Sequence, residues 1–158
     1  MALNKGVNSY GTVEEGDAYF DDRLDVAAWT DADATQKAQA LITATNWLEQ
    51  LDWAVVAVNQ EQALIFPTTG SYFEPRFGKD VTFTNETPKR VMTALFELAY
   101  HFLNNDGILD DTGGVKNLTI GPINLIGIRP VNKMSDVVNK QLQPFLNTPN
   151  TRAWWRAN

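Results

Sequence analysis

Apolar and small residues recur at helical spacing in four stretches of the chain. The most regular is Ala38, Leu41, Ile42, Thr45 and Leu48, whose three- and four-residue steps lay one stripe along a helix. Thr30-Asp-Ala-Asp33 is its start signal, and the helix is expected to run to about Leu51. A wider stripe, Val91, Ala94, Leu95, Leu98, Ala99 and Phe102, follows Thr87-Pro88. Proline at a first helical position lacks only an N–H that the helix does not use there. This segment, capped by Thr87 and reaching about Asn104, is expected to be the central core helix. Upstream, Thr12-Val-Glu-Glu15 has capping-box spacing. It predicts a first helix reaching about Trp29, with Ala18, Tyr19, Leu24 and Val26 to Ala28 on its apolar side. Ser135 opens a short fourth helix lined by Met134, Val137, Val138 and Leu142, whose last turn Pro144 disrupts.

Leu118-Thr-Ile120, Gly121-Pro122 and Ile123-Asn-Leu125 alternate apolar and polar across a turn signal, predicting a β-hairpin within residues 115–128. A lone two-stranded hairpin is marginal in water, so it is expected to pack on the helices or pair with a neighbouring subunit. Trp53 to Val58 fits either a short strand or the frayed end of the second helix. Residues 67–87 read as a long loop punctuated by Pro67, Gly70, Pro75, Gly78 and Asn85, yet they carry Tyr72, Phe73, Phe77 and Phe83. Such aromatics either lie against a partner or tuck into the protein's own core. The expected fold is mainly α. It is one helical-bundle domain of about four helices with one hairpin over residues 1–146, then an extended C-terminal arm over 147–158.

Composition narrows the class. With 44% hydrophobic residues, five Trp, four Tyr and eight Phe, the chain can bury a core that a disordered sequence could not. No cysteine is present, which removes disulfides, thiol catalysis and thiolate metal sites together. No apolar run is long enough to span a bilayer and the start lacks the apolar stretch of a signal peptide. The protein is therefore expected to stay where it is made, with no membrane partner.

The net charge of −6 is unevenly spread. From Arg129 onward there are five cations (Arg129, Lys133, Lys140, Arg152, Arg156) against one anion, Asp136; this stretch carries +4 and the preceding body −10. An acidic body disfavours a broad DNA-binding face, because duplex affinity rests on phosphate neutralisation. Glu14, Glu15, Asp17, Asp21, Asp22 and Asp25 crowd one side of the first helix and read as a solvated face, since no spaced ligand set accompanies them. Asp106, Asp110 and Asp111 with Gly113-Gly114 miss the alternate-oxygen spacing of a calcium loop and read as a turn. Neither Walker nor Rossmann spacing occurs. The single histidine, His101, lies on or beside a core stripe with no base–nucleophile pattern around it. The expectation is a protein that binds and assembles, with no catalytic residues, metal or cofactor.

Asn8-Ser-Tyr10, Ala18-Tyr-Phe20 with Arg23, Gln62-Ala-Leu64 with Phe66-Pro67 and Gly70, Pro88 opening a helix with Glu97-Leu-Ala99, and Val115-Lys116 to Ile120-Gly121 occur in an order and spacing that resemble a family of tailed-phage proteins. Members are often labelled DnaT-like single-stranded-DNA-binding proteins and look like head–tail connector adaptors. The resemblance covers about residues 8–146. Phe66-Pro67-Thr68 stands where the family usually shows Trp-Pro-Arg, and the segment after about Asn147 has no recognised counterpart. What the resemblance implies is a structural adaptor of the virion head–tail junction. It would form a ring of about twelve copies beneath the portal protein, dock the next tail, tail-terminator or nozzle component, and let DNA pass without sequence-specific binding. The alternative is a single-stranded-DNA-binding accessory protein, with aromatics for base stacking near cations such as Arg76 and Lys79. Partner contacts are expected from Arg152, Trp154, Trp155 and Arg156, types frequent in interface hot spots, and from Tyr72 and Phe73.

Overall fold

Thr12 begins the first helix through reciprocal bonds: its hydroxyl accepts the Glu15 N–H at 3.2 Å, and the Glu15 carboxylate accepts the Thr12 N–H at 2.9 Å. In the computed structural model, which describes residues 2–106, 117–120, 123–126 and 136–147, this helix, α1, spans only Val13–Phe20. A separate turn, α2, covers Ala27–Thr30. The single helix expected to about Trp29 is therefore broken. Asp25 takes a left-handed backbone with φ 60°, and the break brings Phe20 and Trp29 to a ring separation of 4.8 Å. In a continuous helix those residues would stand roughly 13 Å apart along the axis. Gly16 lies under Trp29, and any Cβ there would fall 2.5 Å from the indole Cζ2.

Helix α3, Ala34–Glu49, starts with a second capping box, between Asp33 and Gln36. It buries Ala40, Leu41, Ala44, Thr45 and Leu48, the face its periodicity marked out. The Thr45 hydroxyl is accommodated because it donates back to the Leu41 carbonyl at 2.9 Å. Helix α4, Lys89–His101, has Pro88 at its N-cap position with no side-chain cap, so Thr87 does not play the capping role expected of it. It buries Val91, Ala94, Leu95, Phe96, Leu98 and Ala99 and packs against both α3 and the later α5. A π turn, Phe102–Asp106, follows it. Helix α5, Asp136–Leu142, gives way to a 3-10 turn over Gln143–Phe145 that accommodates Pro144. Val138, Leu142 and Phe145 complete the core. No helix among the described residues is long and apolar enough to cross a membrane.

Among the described residues, three antiparallel strand pairs accompany the helices. Strand β1, Val56–Ala57, pairs with β2, Thr68–Thr69. Strand β3, Ser71–Glu74, pairs with β4, Lys79–Thr82. Strands β5, Asn117–Ile120, and β6, Ile123–Ile126, form the expected hairpin, with Leu118 opposite Leu125. The fold is mainly α with β-hairpins. Residues 67–87, expected as a loop, instead hold the β3–β4 hairpin. Phe77 and Gly78 both donate their N–H to the Glu74 carbonyl at 3.0 Å, and Gly78 adopts φ 62°, the left-handed position that closes a turn of this length. Asn147 is fixed to the body through Asp52 and Trp53. The rest of the expected arm, residues 148–158, lies outside the described residues.

Candidate nucleic-acid interface

The β3–β4 hairpin divides the aromatics of residues 71–83 between two destinations. Tyr72 turns inward, with ring separations of 5.1 Å to Phe83 and 4.7 Å to Phe145. Phe83 joins Phe66 and Phe145 in the same aromatic cluster. Phe73 points the other way and is 54% exposed; Phe77, in the turn, is 62% exposed. Among the described residues these are the exposed large aromatic side chains. Alternation along a strand accounts for the division, because residues 72 and 74 share one face and 73 the other.

The inward residue beside Tyr72 is Glu74, whose side chain is fully buried. A buried carboxylate must be paired and hydrogen-bonded, and Glu74 is both. Arg90, from the first turn of α4, donates through Nε at 2.9 Å and Nη2 at 2.6 Å. Arg76 donates through its backbone N–H at 3.1 Å and its Nε at 3.2 Å, and the Tyr72 hydroxyl lies at 3.4 Å. The Arg90 guanidinium foremost, with the Arg76 contacts assisting, holds the carboxyl down at about 2 against the opposing effect of burial. Burial first, then the neighbouring carboxylate, pushes the Tyr72 hydroxyl up. Arg90 also reaches Gln141 of α5 at 3.4 Å. The hairpin is thus bolted to the helices from its inner side while its outer side stays open.

At the turn the Arg76 guanidinium, while donating to Glu74, lies 5.5 Å from the Phe77 ring centre. Lys79, opposite Glu74 in the ladder, shares the face of Glu74 and not that of Phe73, and Lys89 stands at the start of α4; both are exposed. Asp80, opposite Phe73, is the adjacent anion. The result is a short ridge that carries two exposed aromatic rings on a rigid base, with Arg76 against one of them and Lys79 leaving from the other face of the strand pair. Such a surface can stack on flat, electron-rich rings and meet phosphate, but it is too small to neutralise a long duplex.

The sequence singled out Phe73, Arg76 and Lys79 in this ridge. It assigned Tyr72 to partner contact, where the structure gives that ring largely to the core. Phe77 was noted only as a loop aromatic, and the Glu74–Arg90 clamp was not anticipated; a glutamate at an inward strand position was the one available signal. Trp154, Trp155, Arg152 and Arg156 lie outside the described residues. Elsewhere, a cavity of about 440 Å³ lies between the segment around Tyr10, Phe66 and the approach to α4. Lys5 at its wall is already paired with Glu15, and Tyr10, pushed up chiefly by burial, donates to Glu49. No metal-competent cluster of His, Cys, Asp or Glu occurs among the described residues.

A family described as "Putative DnaT-like ssDNA binding protein" matches residues 2–153. The match runs six residues beyond Asn147, so the start of the C-terminal segment does have a counterpart in the family, contrary to the sequence-based expectation. No curated protein and no solved structure matches the chain.

Proposed function

We propose that this chain, which belongs to the family described as "Putative DnaT-like ssDNA binding protein", binds single-stranded DNA through the β3–β4 ridge. Phe73 and Phe77 stack on unpaired bases, while Arg76 at the turn and Lys79, reaching round from the other face of the strand pair, meet the phosphates that flank them. The observation that carries this reading is the placement of both exposed aromatics on one clamped hairpin, with a cation against one of them. Stacking is indifferent to base identity and unavailable in an intact duplex, so the activity is sequence-tolerant and strand-selective. It is binding without catalysis.

Few phosphates are met, and this sets the expected salt response. With about two or three contacts, affinity for an oligothymidine should fall roughly ten-fold between about 50 and 200 mM salt. A labelled single strand and the matching duplex, titrated at both concentrations, test the proposal. Equal affinity for duplex, or no response to salt, would contradict it.

A second reading, the structural adaptor of a phage head–tail junction that rings beneath a portal, draws on a different observation. Glu14, Asp21, Asp22 and Asp25 are all exposed on the α1 side of the body. A surface of that sign repels phosphate and suits a wall past which DNA slides. Absence of single-strand binding at low salt would favour this reading.

A further inference from the structure

The segment between α1 and α2 is built as a knob. Leu24, at its tip, is 95% exposed, with Asp21, Asp22 and Asp25 exposed around it. Both flanks are fastened. On one side the Arg23 guanidinium pairs with Glu97 and donates to the Tyr19 hydroxyl at 2.9 Å. It also lies 5.1 Å from the Tyr19 ring centre and 5.8 Å from that of Phe20. On the other, the Tyr100 hydroxyl donates to the Asp25 carbonyl at 2.8 Å. Between these anchors the backbone passes through the left-handed conformation at Asp25, which costs a non-glycine residue of order 1 kcal/mol. The anchoring residues hold the loop in place and leave the leucine directed at solvent.

A fully exposed leucine with three exposed aspartates within three residues of it along the chain fits an occupant that is both apolar and cationic. DNA is excluded by sign. We infer that the occupant is the C-terminal segment of this same chain, residues 148–158. Its sequence places Trp154-Trp155 between Arg152 and Arg156 with no acidic residue anywhere in the stretch, the complement of the knob in both charge and hydrophobicity. Two adjacent tryptophans left in water would be a liability for aggregation, and an arginine on each side matches the paired aspartates. The inference stands independently of the single-strand reading, since it involves neither Phe73 nor Phe77.

Photo-cross-linking in the full chain tests it. Replacing Leu24 with a benzophenone amino acid touches nothing in the core, and an unchanged melting point will verify the fold. Irradiation followed by peptide mapping is expected to place the cross-link within residues 148–158. Asp21→Asn with Asp22→Asn should cut the yield at least about three-fold, as should raising salt from about 0.05 to 0.5 M, because exposed charge pairs are screened. Arg152→Gln with Arg156→Gln should do the same. A cross-link to another surface, none at all, or a yield that ignores both charge changes and salt would overturn the assignment.

Discussion

Arg90 grips Glu74 with two nitrogens, Nε to Oε2 at 2.9 Å and Nη2 to Oε1 at 2.6 Å, and so ties the inner side of the ridge to the first turn of the central helix. Breaking a buried pair by removing one partner leaves the other charge uncompensated, at a cost of about 3–5 kcal/mol. Arg90 keeps some access to water, which places Glu74→Ala toward the lower end of that range. Chemical denaturation measures it, and a loss below about 1 kcal/mol would mean the hairpin does not depend on the clamp.

The same pair sets an acid sensitivity. Glu74 titrates at about 2 in the folded chain against 4.5 ordinarily. A depressed carboxyl stabilises the fold while ionised, so its contribution is complete at neutral pH and is lost as pH falls from about 4.5 toward 2. The total is roughly 3 kcal/mol. Arg90 and Tyr72 beside it are both shifted upward and stay protonated through that window. Unfolding free energies of the wild type and of Glu74→Gln should converge on acidification; parallel curves would refute the assignment.

Gly16→Ala tests the contact beneath Trp29. Alanine is the better helix former by roughly 1 kcal/mol, yet its Cβ would sit 2.5 Å from the indole. The ring is fully buried and fixed by its Nε1–H bond to Asp17 at 2.8 Å. Overpacking of this kind costs about 1–3 kcal/mol, so the melting temperature should fall. A rise would show that Trp29 can move.

Leu98→Ala opens a cavity at the centre of α4, where Leu98 is 1% exposed. Thermal or denaturant unfolding should report a loss of about 2–5 kcal/mol.

The features legible in the sequence were those carried by local spacing. Thr12 to Glu15 formed its capping box and the α4 stripe from Val91 to Ala99 entered the core, because three- and four-residue periods decide these within a turn or two; the second start lies three residues past the expected Thr30, with Asp33 as the cap and Gln36 closing the box. The break after Phe20 carried no glycine or proline to announce it. It is decided by the packing of Phe20 on Trp29 and by Arg23 reaching Glu97, a partner far along the chain. The β3–β4 hairpin was hidden for a related reason. Its inward face holds a charge, Glu74, so apolar–polar alternation fails there, and the partner that makes such burial tolerable, Arg90, belongs to the next helix. Half of the ridge was therefore visible as residue types, and none of it as a surface.

Single-strand binding through the hairpin stands or falls with Phe73 and Phe77. Fluorescence anisotropy of a labelled oligothymidine of about twenty nucleotides, titrated with wild type and with Phe73→Ala/Phe77→Ala, compares them. Both rings lie outside the core, so the variant should melt with the wild type. Wild type is expected to bind, and the double variant to lose at least about ten-fold in affinity, since each stacked base contributes about 1–3 kcal/mol. Equal affinity of the two proteins, or no binding by the wild type at low salt, would contradict it.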